Sequence, residues 1–233
     1  MKLGAALDWP SWAAMDKALV LGASGGIGAA LAAELESRGL GITRLSRRVD
    51  GFDVTNPAAV EAGLTGLRPF DLVMVATGKL DGAGQAPEKS LRALTAEAMA
   101  DQFRVNTIGP ALIMRHLPRL LPRQGASYCG VLSARVGSIG DNRLGGWYSY
   151  RAAKAALNQV LHGAAIELKR THKEARLIAL HPGTVATEFT SGFPGRDKLT
   201  PAQSAKHLVD VLLARRAAES GGFFDWKGEE VPW

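Results

Sequence analysis

The chain has 233 residues, a length that fits one domain of ordinary size or two small ones. Hydrophobic residues make up 46% and charged residues 21%, which is typical of globular proteins and unlike disordered or fibrous ones. The formal net charge of +6 permits anionic ligands, but its even spread indicates neither nucleic acid nor a membrane as a partner. A single cysteine, Cys129, excludes an internal disulfide, and no stretch reaches the roughly 18 apolar residues of a spanning helix, so we expect a cytoplasmic protein.

Short aliphatic runs alternate with longer helical patterns from residue 17 onward. The runs lack the alternation of polar and apolar residues found in half-exposed strands, which favours a parallel sheet covered on both faces. The predicted strands are Lys17–Leu21, Gly41–Ser46, Asp71–Ala76, Ser127–Ser133, Arg176–Leu180 and Gly222–Trp226. The predicted helices are Ile27–Arg38, Pro57–Leu67, Thr95–Leu121, Ser149–His172 and Pro201–Arg216. This order predicts a single α/β domain with a doubly wound parallel sheet over residues 17–233.

Residues 1–16 show no sustained period, and we interpret them as an N-terminal arm or an extension from an upstream start. A glycine-rich loop follows the first predicted strand, with Gly22, Gly26 and Gly28 in the spacing G-x-x-x-G-x-G. Glycine lets the backbone approach a pyrophosphate, whose charge meets the free N–H groups of the following helix. The strand before this loop and the helix after it favour nucleotide binding over an ordinary turn, and the lack of Gly-Lys-Ser/Thr argues against a P-loop.

Two arginines, Arg47 and Arg48, stand at the end of the second predicted strand, where sites that prefer NAD usually carry an acidic residue. A guanidinium can bind a 2′-phosphate through two parallel hydrogen bonds, whereas a carboxylate would repel it. We therefore expect NADP(H) to be favoured over NAD(H). Asp50 is the only acidic group near enough to argue for NAD, and a pair of solvated surface arginines is the alternative interpretation.

Tyr150 and Lys154 are four residues apart at the start of a predicted helix, so they share one face of its first turn. A cation about 4 Å from the phenol oxygen would favour the phenolate by up to about 4 kcal/mol, which would bring the phenol pKa from about 10 to about 7. A phenol with that pKa can donate or accept a proton at neutral pH. Alone the pair is a weak signal, because a packed tyrosine beside a solvated lysine is common.

With these motifs in this order, the chain resembles the short-chain dehydrogenase/reductase family from residue 17 to its end, and it is most similar to the C-factor-like members. The resemblance implies a Rossmann-type fold and an NAD(P)-dependent dehydrogenase or carbonyl reductase. Such an enzyme transfers a hydride between nicotinamide and a small-molecule carbonyl or alcohol substrate. The family's catalytic residues correspond to Ser133, Tyr150, Lys154 and Asn106.

The roles of these residues are also implied by the resemblance. Tyr150 would be the general acid/base, and Ser133 would hydrogen-bond the substrate oxygen. Lys154 would bind the nicotinamide ribose and lower the tyrosine pKa, while Asn106 would hold a water that links Lys154 to solvent. The predicted cofactor contacts are Gly22, Ser24, Gly26, Ile27, Gly28, Arg47, Arg48, Asp53, Val54, Ala76, Gly78, Lys154, Pro182, Gly183, Val185 and Thr187. The five histidines show no metal-like spacing, so we expect no metal site.

The chain departs from the family pattern at two places near the expected site. Val75-Ala76-Thr77-Gly78 replaces the usual Asn-Asn-Ala-Gly. Ser133 stands farther before Tyr150 than is usual, which leaves Ala134 and Ser138 as alternative positions for the serine. The end of a predicted strand favours Ser133, because catalytic groups lie at the carboxyl ends of strands in such sheets.

The resemblance further implies that two long helices pair across a two-fold axis, so we expect a homodimer or homotetramer. Packing of these helices within one monomer is the alternative, and Trp9 and Trp12 could contact a partner subunit. We expect a substrate loop near residues 188–200. The alternative function is a dinucleotide-binding signalling or regulatory protein with little turnover. A methyltransferase would leave the Tyr150 and Lys154 pair unexplained.

Overall fold

The computed structural model describes residues 15–192 and 197–233. Most of the predicted N-terminal arm, with Trp9 and Trp12, therefore lies outside the described residues, as does the middle of the predicted substrate loop. Within the described chain, parallel strands form one sheet in the order β2-β1-β3-β4-β5-β6. These strands are β1 (Lys17–Leu21), β2 (Gly41–Leu45), β3 (Leu72–Val75), β4 (Ser127–Leu132), β5 (Ala175–His181) and β6 (Phe223–Asp225). Every predicted strand is confirmed, with ends that differ by at most one residue.

The helices pack on both faces of the sheet. They are α1 (Gly26–Ser37), α2 (Arg47–Asp50), α3 (Pro57–Leu64), α4 (Ala96–Phe103), α5 (Gly109–Met114), α6 (Leu117–Leu120), α7 (Tyr148–Leu168) and α8 (Pro201–Leu213). The short helix α2 was not predicted, and α3, α7 and α8 end three to four residues before their predicted ends. No helix in the described part of the chain is long and apolar enough to cross a membrane.

The prediction of one long helix over Thr95–Leu121 is wrong. Instead, α4 passes through a π-helical turn at Arg104–Ile108 into α5, and the chain then turns before α6. Pro118 lies in the first turn of α6, where the missing N–H of proline costs little, while Pro110 follows directly after the π-helical turn. A π-helical turn is rare and commonly marks a functional position. Here it contains Asn106.

The core consists of two apolar layers, one on each face of the sheet. Along β1, Leu19 and Leu21 enter the layer that contains α3, α5 and α7, whereas Ala18 and Val20 enter the layer with α1 and α8. Because both faces are buried, the strands need no alternating polar residues. All strands run parallel, so the loops that follow them emerge at one edge of the sheet, where ligands bind in folds of this kind.

Candidate active site

The glycine loop between β1 and α1 lies so close to neighbouring backbone that side chains would not fit. Gly22 has φ of +87°, and a Cβ there would lie 2.8 Å from the carbonyl oxygen of Ala76. A Cβ on Gly28 would overlap the Gly22 oxygen, and a Cβ on Gly26 would lie 2.6 Å from Cγ2 of Thr187. The loops after β1, β3 and β5 therefore form one backbone-lined cradle. This is the arrangement that lets a pyrophosphate approach main-chain N–H groups.

The segment after β2 places the two arginines beside this cradle. Arg48 Nη2 donates to the carbonyl oxygen of Ser24 at 3.2 Å, while Arg47 is exposed on the first turn of α2. The Asp50 carboxylate accepts hydrogen bonds from the backbone N–H of Ser46 at 2.8 Å and from its hydroxyl at 3.1 Å. Both bonds are to Oδ2, so Asp50 stabilises a local turn at the end of β2.

Asp53, Val54 and Thr77 line the same edge of the sheet. Asp53 Oδ1 accepts from the backbone N–H of Thr55 at 2.9 Å and from its hydroxyl at 2.7 Å, and these bonds hold the pKa of the Asp53 carboxyl below its usual value. Val54 packs closely on Gly109. The Thr77 hydroxyl is buried and has no hydrogen-bond partner among the described residues. An orphaned hydroxyl beside the glycine cradle fits a polar ligand there.

The loop after β5 closes the cradle on its other side. The carbonyl oxygen of Pro182 accepts from the Ser204 hydroxyl of α8 at 2.9 Å, and Gly183 has φ of +77° beside the ring of Trp226. The Thr187 N–H donates to the Val185 carbonyl oxygen at 2.9 Å. These contacts hold Thr187 against Gly26. The residues present therefore fit a dinucleotide.

Lys154, Asn106 and Gly78 come together at the inner end of this cradle. A Cβ on Gly78 would lie 3.0 Å from Asn106 Oδ1 and 3.7 Å from Lys154 Nζ. The Asn106 amide accepts from the Lys79 N–H at 3.2 Å and donates to the Lys79 carbonyl oxygen at 2.8 Å, so it holds the backbone after β3. Lys154 Nζ donates to the Leu132 carbonyl oxygen at 3.0 Å. The π-helical turn and α7 are thereby tied to the backbone after β3 and to the end of β4.

The titration of Tyr150 and Lys154 differs from the sequence-based expectation. Burial raises the pKa of the Tyr150 phenol and lowers the pKa of the Lys154 ammonium to about 7. Lys154 Nζ lies 5.9 Å from the centre of the Tyr150 ring, and at neutral pH this amine is only partly charged. The cost of burying a phenolate therefore outweighs the attraction of the cation, and the expected pKa near 7 belongs to the lysine. The phenol is protonated at neutral pH.

The Ser133 hydroxyl is buried and is already engaged. It donates to Oδ1 of Asn158 at 2.6 Å, and since a hydroxyl has one proton, that proton is not offered to a substrate in this arrangement. The alternative Ser138 is also buried, and its oxygen accepts from the Asp141 N–H at 3.0 Å. The role of Ser133 stays a prediction. Sequence reasoning missed Asn158, although it follows Lys154 by one helical turn and so lies on the same face.

Aromatic side chains flank the Tyr150 ring. The ring centres of Trp147 and Phe189 each lie 6.2 Å from that of Tyr150, with Trp147 edge-on. Phe189 belongs to the predicted substrate loop. Sequence reasoning also missed Glu88, which contacts the residues just before Tyr150 and stands in a loop with no periodic pattern. Among the described residues, no group of histidine, cysteine and acidic side chains could hold a metal ion.

Comparison with known proteins identifies the family. A family model described as Enoyl-(Acyl carrier protein) reductase matches residues 22–219. A Rhodococcus protein named 1-hydroxy-2-glutathionyl-2-methyl-3-butene dehydrogenase is 32% identical over 232 residues, which cover 94% of this chain and all of that protein. The C-signal protein of Myxococcus xanthus is 36% identical over 139 residues, which cover 58% of this chain and 78% of that protein.

Solved structures agree with the predicted fold. A short-chain dehydrogenase/reductase from Burkholderia multivorans with bound NADP superposes with a TM-score of 0.77 at 29% identity, covering 94% of this chain and all of that one. A carbonyl reductase from chicken fatty liver with bound NADPH gives a TM-score of 0.74 at 25% identity, covering 94% and 99%. The chain belongs to the short-chain dehydrogenase/reductase family and is an oxidoreductase of that family.

Proposed function

We propose that residues 17–233 form an NADP(H)-dependent oxidoreductase that interconverts a carbonyl and an alcohol, with Tyr150 as the general acid/base. The observation that carries this proposal is the convergence of Lys154 with Asn106 and Gly78 beside the glycine cradle, since Lys154 lies on the same helix as Tyr150. A bound nicotinamide supplies or accepts the hydride. The dinucleotide would be held by the glycine loop, Asp53, Val54 and the segment from Pro182 to Thr187. Lys154 would bind the nicotinamide ribose.

The chain's own contribution is proton transfer and orientation. Because burial keeps the Tyr150 phenol protonated at neutral pH, it can donate its proton to the carbonyl oxygen of a substrate during reduction. Lys154, with a pKa of about 7, exchanges protons readily at neutral pH and supplies positive charge near the developing oxyanion when it is protonated. Asn106 fixes the backbone beside Lys154. Predicted contact of Ser133 with the substrate would require its hydroxyl to leave Asn158.

Replacing Tyr150 tests the proposed acid. In Tyr150→Phe the ring contacts remain and the proton donor is lost, so kcat for NADPH-dependent carbonyl reduction should fall about 10²- to 10⁴-fold. The dissociation constant for NADPH, measured by fluorescence, should stay within about twofold because cofactor contacts lie elsewhere. Tyr148→Phe is the matched control, because the residue four positions after Tyr148 is an alanine, whereas Tyr150 has Lys154 at that position. Unchanged turnover in Tyr150→Phe would disprove the assignment.

We propose that the cofactor is NADP(H) rather than NAD(H). Support comes from Arg47 and Arg48 beside the cradle, and from the engagement of Asp50 by Ser46. Arg47→Ala should weaken NADPH binding about tenfold while leaving NADH binding unchanged, because only the 2′-phosphate loses its partner. Arg44→Ala is the control, since Arg44 is an exposed strand residue paired with Glu36 at 2.5 Å. An equal loss for both cofactors would contradict the phosphate assignment.

A dinucleotide-binding signalling or regulatory protein is the second candidate. The observation that favours it is the commitment of the Ser133 proton to Asn158, together with the relative named C-signal. Tight NADPH binding without turnover would support this candidate. The substrate panel should include ketones, aldehydes, aliphatic alcohols and an alcohol that carries a glutathionyl group, which the name of the Rhodococcus relative suggests.

We also propose that the protein forms a homodimer or homotetramer through α7 and the π-helical turn, which pack against each other. Ile108, Val160 and Ile166 on these elements are 50%, 37% and 55% exposed. Apolar side chains exposed together on neighbouring helices are typical of an interface between identical chains.

A further inference from the structure

Glu88 is a buried carboxylate that holds the start of α7. It lies in the loop between β3 and α4 and is only 6% exposed. The Ser149 hydroxyl donates to Glu88 Oε1, and the Ser149 N–H donates to Glu88 Oε2 at 3.3 Å. The carbonyl oxygen of Glu88 accepts the Trp147 N–H at 2.5 Å. One residue thus binds both the residue before the helix and the residue immediately before Tyr150.

The start of α7 needs such a partner because its own sequence supplies none of the usual caps. The first N–H groups of a helix lack acceptors within the helix, and a serine, threonine, asparagine or aspartate normally provides one. Here the position is taken by Trp147, which makes no side-chain cap and has φ of +52°, a conformation that is costly for a bulky residue. A carboxylate near these N–H groups also interacts favourably with the helix dipole.

The loop that carries Glu88 is itself fixed. Asp101 of α4 accepts hydrogen bonds from the Ala83 N–H and from Lys79 Nζ, each at 2.7 Å. Gly82 and Gln85 pair through two backbone hydrogen bonds, which close a tight turn within the loop. The same loop contains Gly78, which lies next to Lys154. Glu88 therefore connects the first turn of α7 to the backbone after β3, which forms one wall of the glycine cradle.

We propose that Glu88 is a positioning residue, whose carboxylate sets the place of the Tyr150 phenol relative to the glycine cradle by anchoring Ser149. The bond from Trp147 to the Glu88 backbone carbonyl oxygen is kept in every variant at this position. The effect of the carboxylate on turnover rests on the proposed function, whereas its effect on the first turn of α7 does not. Glu88 and Tyr150 line one narrow cavity, with Gln102 and Ser149 between α4 and α7. Loss of the Glu88 side chain should therefore displace Tyr150 and leave the glycine loop's dinucleotide contacts unchanged.

The kinetic test compares Glu88→Ala, Glu88→Gln and Ser149→Ala with Glu97→Ala, an exposed control on α4. In Glu88→Ala, kcat should fall about tenfold or more while the NADPH dissociation constant stays within about twofold. Glu88→Gln keeps an acceptor oxygen for Ser149 and should recover part of kcat. A kcat within twofold of wild type in a folded Glu88→Ala protein overturns the proposal. Equal losses of kcat and NADPH affinity also overturn it, since they indicate general disruption.

Amide hydrogen exchange tests the anchoring without any substrate. In Glu88→Ala and Glu88→Gln, exchange in the first turn of α7 should rise about tenfold or more for alanine and less for glutamine, with residues 157–168 unchanged. Uniform acceleration along α7, or none, overturns the proposal. If wild type binds NADPH but turns over no substrate, the proposed function fails, and the exchange result alone then decides whether Glu88 anchors the helix.

Discussion

Two buried titratable side chains, Tyr150 and Lys154, govern the chemistry of this site at the residue scale. Both lie on α7 within one turn, and burial disfavours the charged form of each. At neutral pH the phenol keeps its proton, whereas the amine, with a pKa of about 7, can take up or release one proton, which changes the net charge of the pair by one unit. The hydrogen bond from Lys154 to the Leu132 carbonyl oxygen is available to either form of the amine.

The pKa of Lys154 makes the stability of the protein depend on pH. In the unfolded chain a lysine titrates near 10.4, while in the folded protein this one titrates near 7. Between these values the unfolded chain binds more protons, so the free energy of unfolding should rise with pH, by at most about 1.4 kcal/mol per unit. Urea unfolding from pH 7 to pH 10, with wild type compared with Lys154→Met, measures this contribution.

The difference between the two proteins isolates Lys154 from other groups that titrate in that window. Wild type should gain stability relative to Lys154→Met as pH rises toward 10. Above pH 10 a second effect follows from Tyr150, whose raised pKa makes the folded state bind more protons, so stability should decline there. A constant difference between the two proteins from pH 7 to pH 10 would show that Lys154 is solvated in the folded state.

At the scale of elements, a substitution that adds one methyl group can test the contact between the β1–α1 loop and the segment after β5. Gly26→Ala should destabilise the protein by about 1–3 kcal/mol, because its Cβ would lie 2.6 Å from Cγ2 of Thr187. Urea unfolding of Gly26→Ala combined with Thr187→Ser, which removes that methyl group, should recover part of the loss. Gly25→Ala is the control, since the nearest atom to its Cβ is 3.5 Å away. Equal effects of the two glycine variants would contradict the close approach of Gly26 to Thr187.

Strands β1, β3, β4 and β5 were predictable because each is a largely apolar, buried run, which suits a sheet covered on both faces. The edge strand β2 differs, since all of its residues are exposed or partly buried. The π-helical turn was not predictable from the period of the long helix, and its Asn106 amide binds the backbone of Lys79, which is 27 residues earlier in the sequence. Glu88 was missed for a similar reason, because its hydrogen-bond partner Ser149 is 61 residues later in the sequence. Motif order indicated the elements that carry the site, while long-range contacts determined which proton donors are engaged.

At the scale of the whole molecule, the exposed apolar residues of α7 and the π-helical turn predict self-association. Size-exclusion chromatography with light scattering should give the molar mass of a dimer or tetramer. Ile108→Lys combined with Ile166→Lys should shift it to that of a monomer, because burying two charges at an interface is costly. Leu91→Lys, at an exposed position in the loop before α4, is the control. A wild-type protein that is monomeric at micromolar concentration would contradict this proposal.

The buried Cys129 thiol can report how often the core on one face of the sheet opens. Cys129 is the only cysteine of the chain, and it lies in β4, paired with Val73 on one side and Leu177 on the other. Its thiol is fully buried in the apolar layer that contains α3, α5 and α7, and burial raises its pKa, so an alkylating reagent can attack it only after this layer opens. The labelling rate therefore measures the opening of this layer in the unaltered protein, without the introduction of any reporter group.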